Sequence, residues 1–227
     1  MDKLQGTKLF TKMDLRWGYN NVRIKEGDEW KATFVCFRGA FEPLVMYFGL
    51  CNSPATFQAM MNEIFADMDD VVVVYIDDLM IFTKTDNQAE HDQIVLEVLH
   101  CLEENDLFVK PEKCTLCTIE VDFLSMIVRC DGISMDQTKV KAILDWPEPK
   151  NIKGVRSFLG LANFYRRFIK DYMCVAHPLH NLTNKEEPFQ WKETQQTVLD
   201  TLKKQLYHHS STHVPRSRLQ IPPGIRC

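Results

Sequence analysis

The sequence predicts an α+β fold: an antiparallel sheet with packed helices and one acidic β-hairpin, followed by a helical region. Three observations carry that expectation. Short β-rich runs occur at residues 8–14, 71–75, 79–82, 119–124 and 126–129. Apolar residues recur at helical spacing through residues 57–65 and 94–102. Beyond Pro147-Glu148-Pro149, the candidate domain boundary, only helical patterning remains.

Taken in order, residues 8–14 read as a strand leading into a turn at Gly18. Residues 22–41 contain alternating stretches and an Arg38-Gly39 turn, which predicts a hairpin. Ser53-Pro54 supplies a helix cap followed by proline at the first helical position. Phe57, Met60, Met61, Ile64 and Phe65 then line one face. Two β-rich runs flank Asp77-Asp78, and Ile94, Val95, Val98, Leu99 and Leu102 mark an amphipathic helix with an acidic outer face. Two further strands lead to an Asp131-Gly132 turn, and Asp136 caps a helix that ends before Trp146-Pro147. Asn151 starts a helix carrying Val155, Phe158, Leu159, Phe164, Tyr165 and Phe168. Gly154 and Gly160 each weaken it by roughly 1 kcal/mol relative to alanine, or else allow close packing. A short helix is expected from Trp191 through Leu206, and a disordered tail over residues 207–227.

The composition of the 227 residues, 45% hydrophobic and 26% charged, excludes global disorder, collagen and coiled coil. Length predicts one or two domains. The longest apolar run, residues 71–76, is far short of the ~20 residues a membrane helix needs. The first residues read as neither a signal nor a transit peptide. Eight cysteines are too sparse for a disulfide scaffold, so reduced thiols and a cytoplasmic or nuclear setting are expected. Cys114 and Cys117 have zinc-ligand spacing, but no second pair follows at a usable distance. Charge is segregated. Residues 62–106 hold thirteen acids against Lys84 alone, whereas residues 139–170 hold eight Lys/Arg against two acids. Such a map suits an acidic region that holds cations joined to a basic region that holds polyanions; solvated faces of opposite sign explain the charge alone equally well.

Asp77 and Asp78 stand in the middle of ten apolar or aromatic residues from Val71 to Phe82. Burying such charges is expensive unless they are paired or bind a metal. Strand alternation would send adjacent side chains to opposite faces, so the pair is better placed at a hairpin turn, where both enter one cleft. Asp14, at the end of another apolar strand, is a third candidate. Magnesium takes one or two carboxylates plus substrate phosphates, and two ions ~4 Å apart can serve an in-line phosphoryl displacement. On the residues alone a chance Asp-Asp pair stays open, as Asp69-Asp70 shows.

Four blocks occur in order: Phe10-Thr-Lys-Met-Asp14-Leu-Arg-Trp-Gly-Tyr19, Phe48-Gly-Leu-Cys-Asn-Ser-Pro-Ala-Thr-Phe-Gln58, Tyr75-Ile-Asp-Asp78 and Lys110-Pro-Glu-Lys-Cys114. Together they resemble the reverse transcriptase of gypsy-class long-terminal-repeat retrotransposons, as found in fungi, from about Lys8 to Leu206. The resemblance implies a polymerase palm with partial fingers over residues 1–146 and a thumb over 147–188. It further implies the start of a connection or RNase H-like region over 189–206. It implies an RNA-directed DNA polymerase that adds deoxynucleotides from their triphosphates to a primer on an RNA or DNA template. Two magnesium ions, with manganese as a substitute, would be held by Asp14, Asp77, Asp78 and the backbone carbonyl of Leu15. Tyr19 would lie under the nucleotide sugar and Gln58 would contact the incoming nucleotide. Phe123, Leu124, Ser125 and Met126 would hold the primer terminus. Lys153, Arg156, Arg166 and Arg167 would lie on the duplex. The implied partners include other parts of a retrotransposon polyprotein, with its DNA integration functions, and no membrane.

Three departures stand out. Ser125 replaces the family's usual glycine, and Tyr47 an often-present proline. Only residues 1–7 precede the Asp14 strand, where family members carry much of the fingers with their triphosphate-gripping bases. The chain therefore reads as a polyprotein fragment expected to polymerise poorly by itself. The alternatives are a non-catalytic relic that at most binds nucleic acid and, on the charge map only, an acidic protein-interaction domain.

Overall fold

The computed structural model describes residue 4, residues 6–184 and residues 189–211. The described residues divide into two compact units, those up to Leu124 and those from Ser125 onward. Among the described residues no helix is long and apolar enough to cross a membrane.

The first unit begins with β1 (Leu9–Asp14). β2 (Phe34–Cys36) and β3 (Gly39–Phe41) form a separate antiparallel hairpin. The hairpin expected over residues 22–41 is thus confined to its last part, and every residue of both strands is exposed. α1 (Ser53–Ile64) follows, with Asn52 rather than Ser53 at the cap position and proline in the first turn. Then come β4 (Val72–Tyr75), β5 (Asp78–Thr83), α2 (Gln88–Glu104), β6 (Thr115–Thr118) and β7 (Glu120–Phe123).

The main sheet is antiparallel, in the order β4-β5-β1-β6. α2 packs on β5, β1 and β6, and α1 on β4. Leu79, Met80, Ile81 and Phe82 of β5 are all buried, which is why that strand reads as a continuous apolar run rather than an alternation. Met13, Phe57, Met61, Leu79, Ile81, Val95, Val98 and Leu102 form one core cluster. Each such side chain contributes about 1.5–3 kcal/mol by leaving water.

One buried polar group ties the sheet to α2. The ring of His91 is fully buried between two hydroxyls, with Nε2 2.8 Å from Thr11 Oγ1 and Nδ1 2.9 Å from Thr83 Oγ1. Thr11 Oγ1 also accepts from the Cys117 N–H at 3.0 Å, so β1, β5, β6 and α2 share the network. Burial holds His91 below its ordinary pKa of 6.5, with the Asp92 charge opposing. The folded chain keeps the imidazole neutral while the unfolded chain takes up a proton as pH falls below 6.5. Stability is therefore full above that pH and declines below it, until the folded-state pKa is reached. Urea denaturation at pH 8 and pH 5.5 should show the acid-side loss, and His91→Gln should flatten it. An unchanged pH dependence in that variant would refute the assignment.

Leu124 and Ser125 have φ of 52° and 60°. Two successive left-handed residues are what a two-residue hairpin turn demands, and this is where glycine is usual. The serine there costs about 1 kcal/mol or more in backbone strain.

In the second unit β8 (Met126–Arg129) and β9 (Ile133–Met135) pair antiparallel. α3 (Gln137–Leu144) is capped as expected, with Asp136 accepting from the Thr138 N–H at 2.8 Å. Asn151 caps α4 (Ile152–Phe164) by accepting from the Gly154 N–H at 2.8 Å. α5 (Tyr172–Asn181) was not legible in the sequence: its cap position, Asp171, makes no side-chain cap bond, and Pro178 lies within it. α6 (Glu193–Ser211) packs against α3, α5 and β9 and buries Leu199, Leu202 and Leu206. It continues past Leu206, so residues 207–211 of the expected tail are helical; residues 212–227 lie outside the described residues. Pro147-Glu148-Pro149 falls inside this unit. Lys203 of α6 donates to the carbonyls of Leu144 and Trp146 at 3.0 and 2.5 Å, closing the end of α3 just before that stretch.

Candidate active site

Sheet register builds the site. Asp14, the last residue of β1, lies opposite Asp78, the first residue of β5. Tyr75 pairs with Asp78 across the β4–β5 hairpin, leaving Ile76 and Asp77 as its turn. The Leu15 N–H donates to the Asp77 carbonyl at 2.9 Å, and the Lys110 N–H to the Asp14 carbonyl at 2.9 Å. The backbones bearing all three acids are therefore fixed against one another by strand pairing. Alternation within a strand could not have placed Asp77 and Asp78 at one end; the turn does.

Three lysines attend the acids. Lys110 Nζ lies 2.6 Å from Asp14 Oδ1, Lys113 Nζ 3.4 Å from Asp14 Oδ2, and Lys12 Nζ 3.4 Å from Asp78 Oδ1. For Asp14, burial disfavours ionisation, but the Lys110 and Lys113 ammoniums outweigh it and hold its carboxyl below the usual range. Asp77 goes the other way. Burial, then the negative charge of Asp14, raise its pKa, with Lys110 opposing. Its Oδ1 is buried and, among the described residues, has no hydrogen-bond partner. A Cβ on Gly18 would stand 2.5 Å from that oxygen and 2.9 Å from Phe57 Cζ, so only glycine fits beside it.

These residues suit a hard divalent cation. The donors are all carboxylate oxygens, one buried oxygen is orphaned, and ammonium groups already stand as cations against Asp14 and Asp78. In the arrangement described no three acidic side chains come close enough to share one ion.

The remaining expected residues fall in different places. Tyr19 is buried between the edges of Phe48 and Phe57, with ring centroids 4.8 and 5.6 Å away. Gln58 turns towards the hairpin. Its Oε1 accepts from the Ile76 N–H at 2.8 Å, while Nε2 donates to the Val74 carbonyl at 3.2 Å and to Asn62 Oδ1 at 2.8 Å. Phe123 is buried, and Met126 is partly buried at the start of β8. Lys153, Arg156, Arg166 and Arg167 are exposed on or just after α4, where Arg156 donates to the Thr183 carbonyl at 2.9 Å. The lysine partners of Asp14 were not singled out from sequence, although Lys110 and Lys113 stand in one of the four quoted blocks. A basic lining missed altogether is that of a cavity of about 380 Å³ at the start of α1, which Arg23, Lys25 and Lys31 share with Asp28. In the sequence Glu26, Asp28 and Glu29 interleave with these bases and cancel their charge.

An antiparallel sheet backed by helices, with an acidic hairpin facing a third acid on the adjoining strand, defines a palm-type nucleic-acid polymerase. Residues 1–128 match the family of reverse transcriptases, the RNA-dependent DNA polymerases, and the chain belongs to that family. It is 37% identical over 202 residues to the transposon Tf2-3 polyprotein of Schizosaccharomyces pombe and 36% identical to the Tf2-7 polyprotein. Each alignment covers 88% of this chain and 15% of the relative, so the chain spans about one seventh of those polyproteins. Among solved structures it is similar to the foamy viral protease-reverse transcriptase in complex with RNA/DNA hybrid. The TM-score there is 0.79 at 26% identity, over 88% of this chain and 27% of the other. A second foamy viral structure, in complex with double-stranded DNA, gives the same TM-score and identity over 35% of that chain.

Proposed function

We propose that this chain is the polymerising part of a gypsy-class retrotransposon polyprotein, extending a primer on an RNA or DNA template with deoxynucleoside triphosphates. The observation that carries the proposal is the register that sets Asp14 opposite Asp78 with the partnerless Asp77 oxygen in the adjoining turn. Asp14, Asp77, Asp78 and the Leu15 carbonyl would hold two magnesium ions, or manganese in their place. Bound there, they supply Lewis-acid stabilisation of the attacking and leaving oxygens of phosphoryl transfer. The protein's own groups position the reactants. Tyr19, braced by Phe48 and Phe57, offers a rigid aromatic against which a nucleotide sugar can rest and a 2′-hydroxyl is rejected by contact. Phe123, Leu124, Ser125 and Met126 would support the primer terminus. Residues 1–146 would form the palm with partial fingers, residues 147–188 the thumb, and residues 189–206 the opening of a connection region. The setting proposed is the cytoplasm or nucleus.

Lys153, Arg166 and Arg167 would contact duplex phosphates, so binding should follow counterion release. The test is titration of an RNA/DNA primer-template across a salt series. The logarithm of affinity should fall linearly with the logarithm of salt. Alanine at each of these three positions should lower the slope by about one. Arg156→Ala should also loosen its tie to Thr183 and lower stability. Salt-independent binding, or slopes unmoved by the substitutions, would contradict a phosphate-gripping role.

A further inference from the structure

Ile76 is the first residue of the two-residue turn between β4 and β5, and its φ is 53°. A β-branched side chain rarely adopts that left-handed conformation, and such strain persists only where the surroundings impose it. The two-residue hairpin demands that conformation at its first turn residue, and the Gln58 side chain holds it there. Its amide holds the entry to the turn by two bonds, accepting from the N–H of Ile76 and donating to the carbonyl of Val74. The orientation of the amide is forced: only the oxygen can face an N–H, which leaves the nitrogen towards the carbonyl. Its second proton goes to Asn62, one helical turn further along α1. Both amide protons and one lone pair of the Gln58 oxygen are thus engaged, and two of these three bonds go to the hairpin, the last of them one residue before Asp77.

We propose that Gln58 is a positioning residue that clamps the strained turn and, through Ile76, aims the Asp77 and Asp78 carboxylates. The proposal rests on the polymerase reading of the acidic site. It extends that reading by giving α1 a task in shaping the cation site. Ile76→Gly removes the conformational strain and with it most of the need for the clamp.

The test compares the 227-residue chain with Gln58→Leu, Ile76→Gly and the double variant. Three quantities are read: amide-hydrogen exchange at Ile76, the Mn2+ dissociation constant from electron paramagnetic resonance, and primer-extension kinetics where turnover is measurable. Gln58→Leu should speed exchange at Ile76 on the order of tenfold or more and weaken Mn2+ binding by a similar factor. Any loss of extension should fall on kcat, with KM for the deoxynucleotide unchanged. In the double variant the Mn2+ affinity should return most of the way to wild type. Unchanged exchange and Mn2+ affinity in Gln58→Leu, with a raised KM, would overturn the clamp and assign Gln58 to the nucleotide. Strictly additive effects of the two substitutions on Mn2+ affinity would also overturn it. A wild-type chain that binds no Mn2+ would fail the polymerase reading instead, and exchange at Ile76 would still decide the clamp.

Discussion

Asp77→Asn should lower metal-dependent primer extension by on the order of a hundredfold to a thousandfold while leaving the fold intact. The size follows from removing one preorganised charge from a site whose work is the stabilisation of developing charge. The fold should survive because Asp77 contributes to the sheet through its backbone: the Leu15 N–H bonds to its carbonyl, and its Oδ1 bonds to nothing among the described residues. Asp77 is half-buried, and its Oδ1 is buried without a partner among the described residues, so a neutral amide there relieves part of the desolvation cost. Circular dichroism and thermal unfolding should therefore show a variant at least as stable as wild type. A strongly destabilised variant would mean that Asp77 is a structural residue, and full retention of extension would remove it from the site.

Gly18→Ala should show the opposite combination, with loss of stability and loss of function together. The added methyl meets Asp77 Oδ1 at 2.5 Å and the Phe57 ring at 2.9 and 3.2 Å. Phe57 is fully buried in the core, so the ring has little room to retreat, and overpacking of this kind costs about 1–3 kcal/mol. The movement left to the structure is displacement of the Asp77 carboxylate, which should weaken divalent-cation binding as well. Gly160→Ala on the exposed side of α4 serves as the comparison. A methyl there meets nothing within 4 Å, so helix propensity alone should stabilise by up to about 1 kcal/mol. Chemical denaturation of both variants checks the pair. A neutral Gly18→Ala would show that the cradle around Asp77 is loose.

The acids, the strands that bear them and most helix starts were legible because each rests on local chemistry. Apolar runs broken by Asp77-Asp78, the Asp136 and Asn151 caps and the Pro54 helix start are signals confined to a few residues. What escaped was set by residues far apart in the chain. Nothing local says that β1 pairs with β6 or that Leu15 bridges to Val109, so the contacts of Lys110 and Lys113 with Asp14 could not be read from their spacing. The resemblance implies a nucleotide contact for Gln58, and a lone amide on a helix carries no sign of the turn that it bonds here. His91 gave no signal, since its partners Thr11 and Thr83 lie on two different strands. α5 lacked a cap and contains a proline, so packing against α4 and α6 decides its existence rather than propensity.

The central claim is that Asp14, Asp77 and Asp78 form one divalent-cation site. Mn2+ titration followed by electron paramagnetic resonance measures it directly on the 227-residue chain, without template or nucleotide. Wild type should bind the ion, and Asp14→Asn, Asp77→Asn and Asp78→Asn should each weaken binding by at least tenfold. The double variants should add little further loss if the three acids act on the same ions. Equal Mn2+ affinity in wild type and all three single variants, or no binding to wild type, would contradict the account.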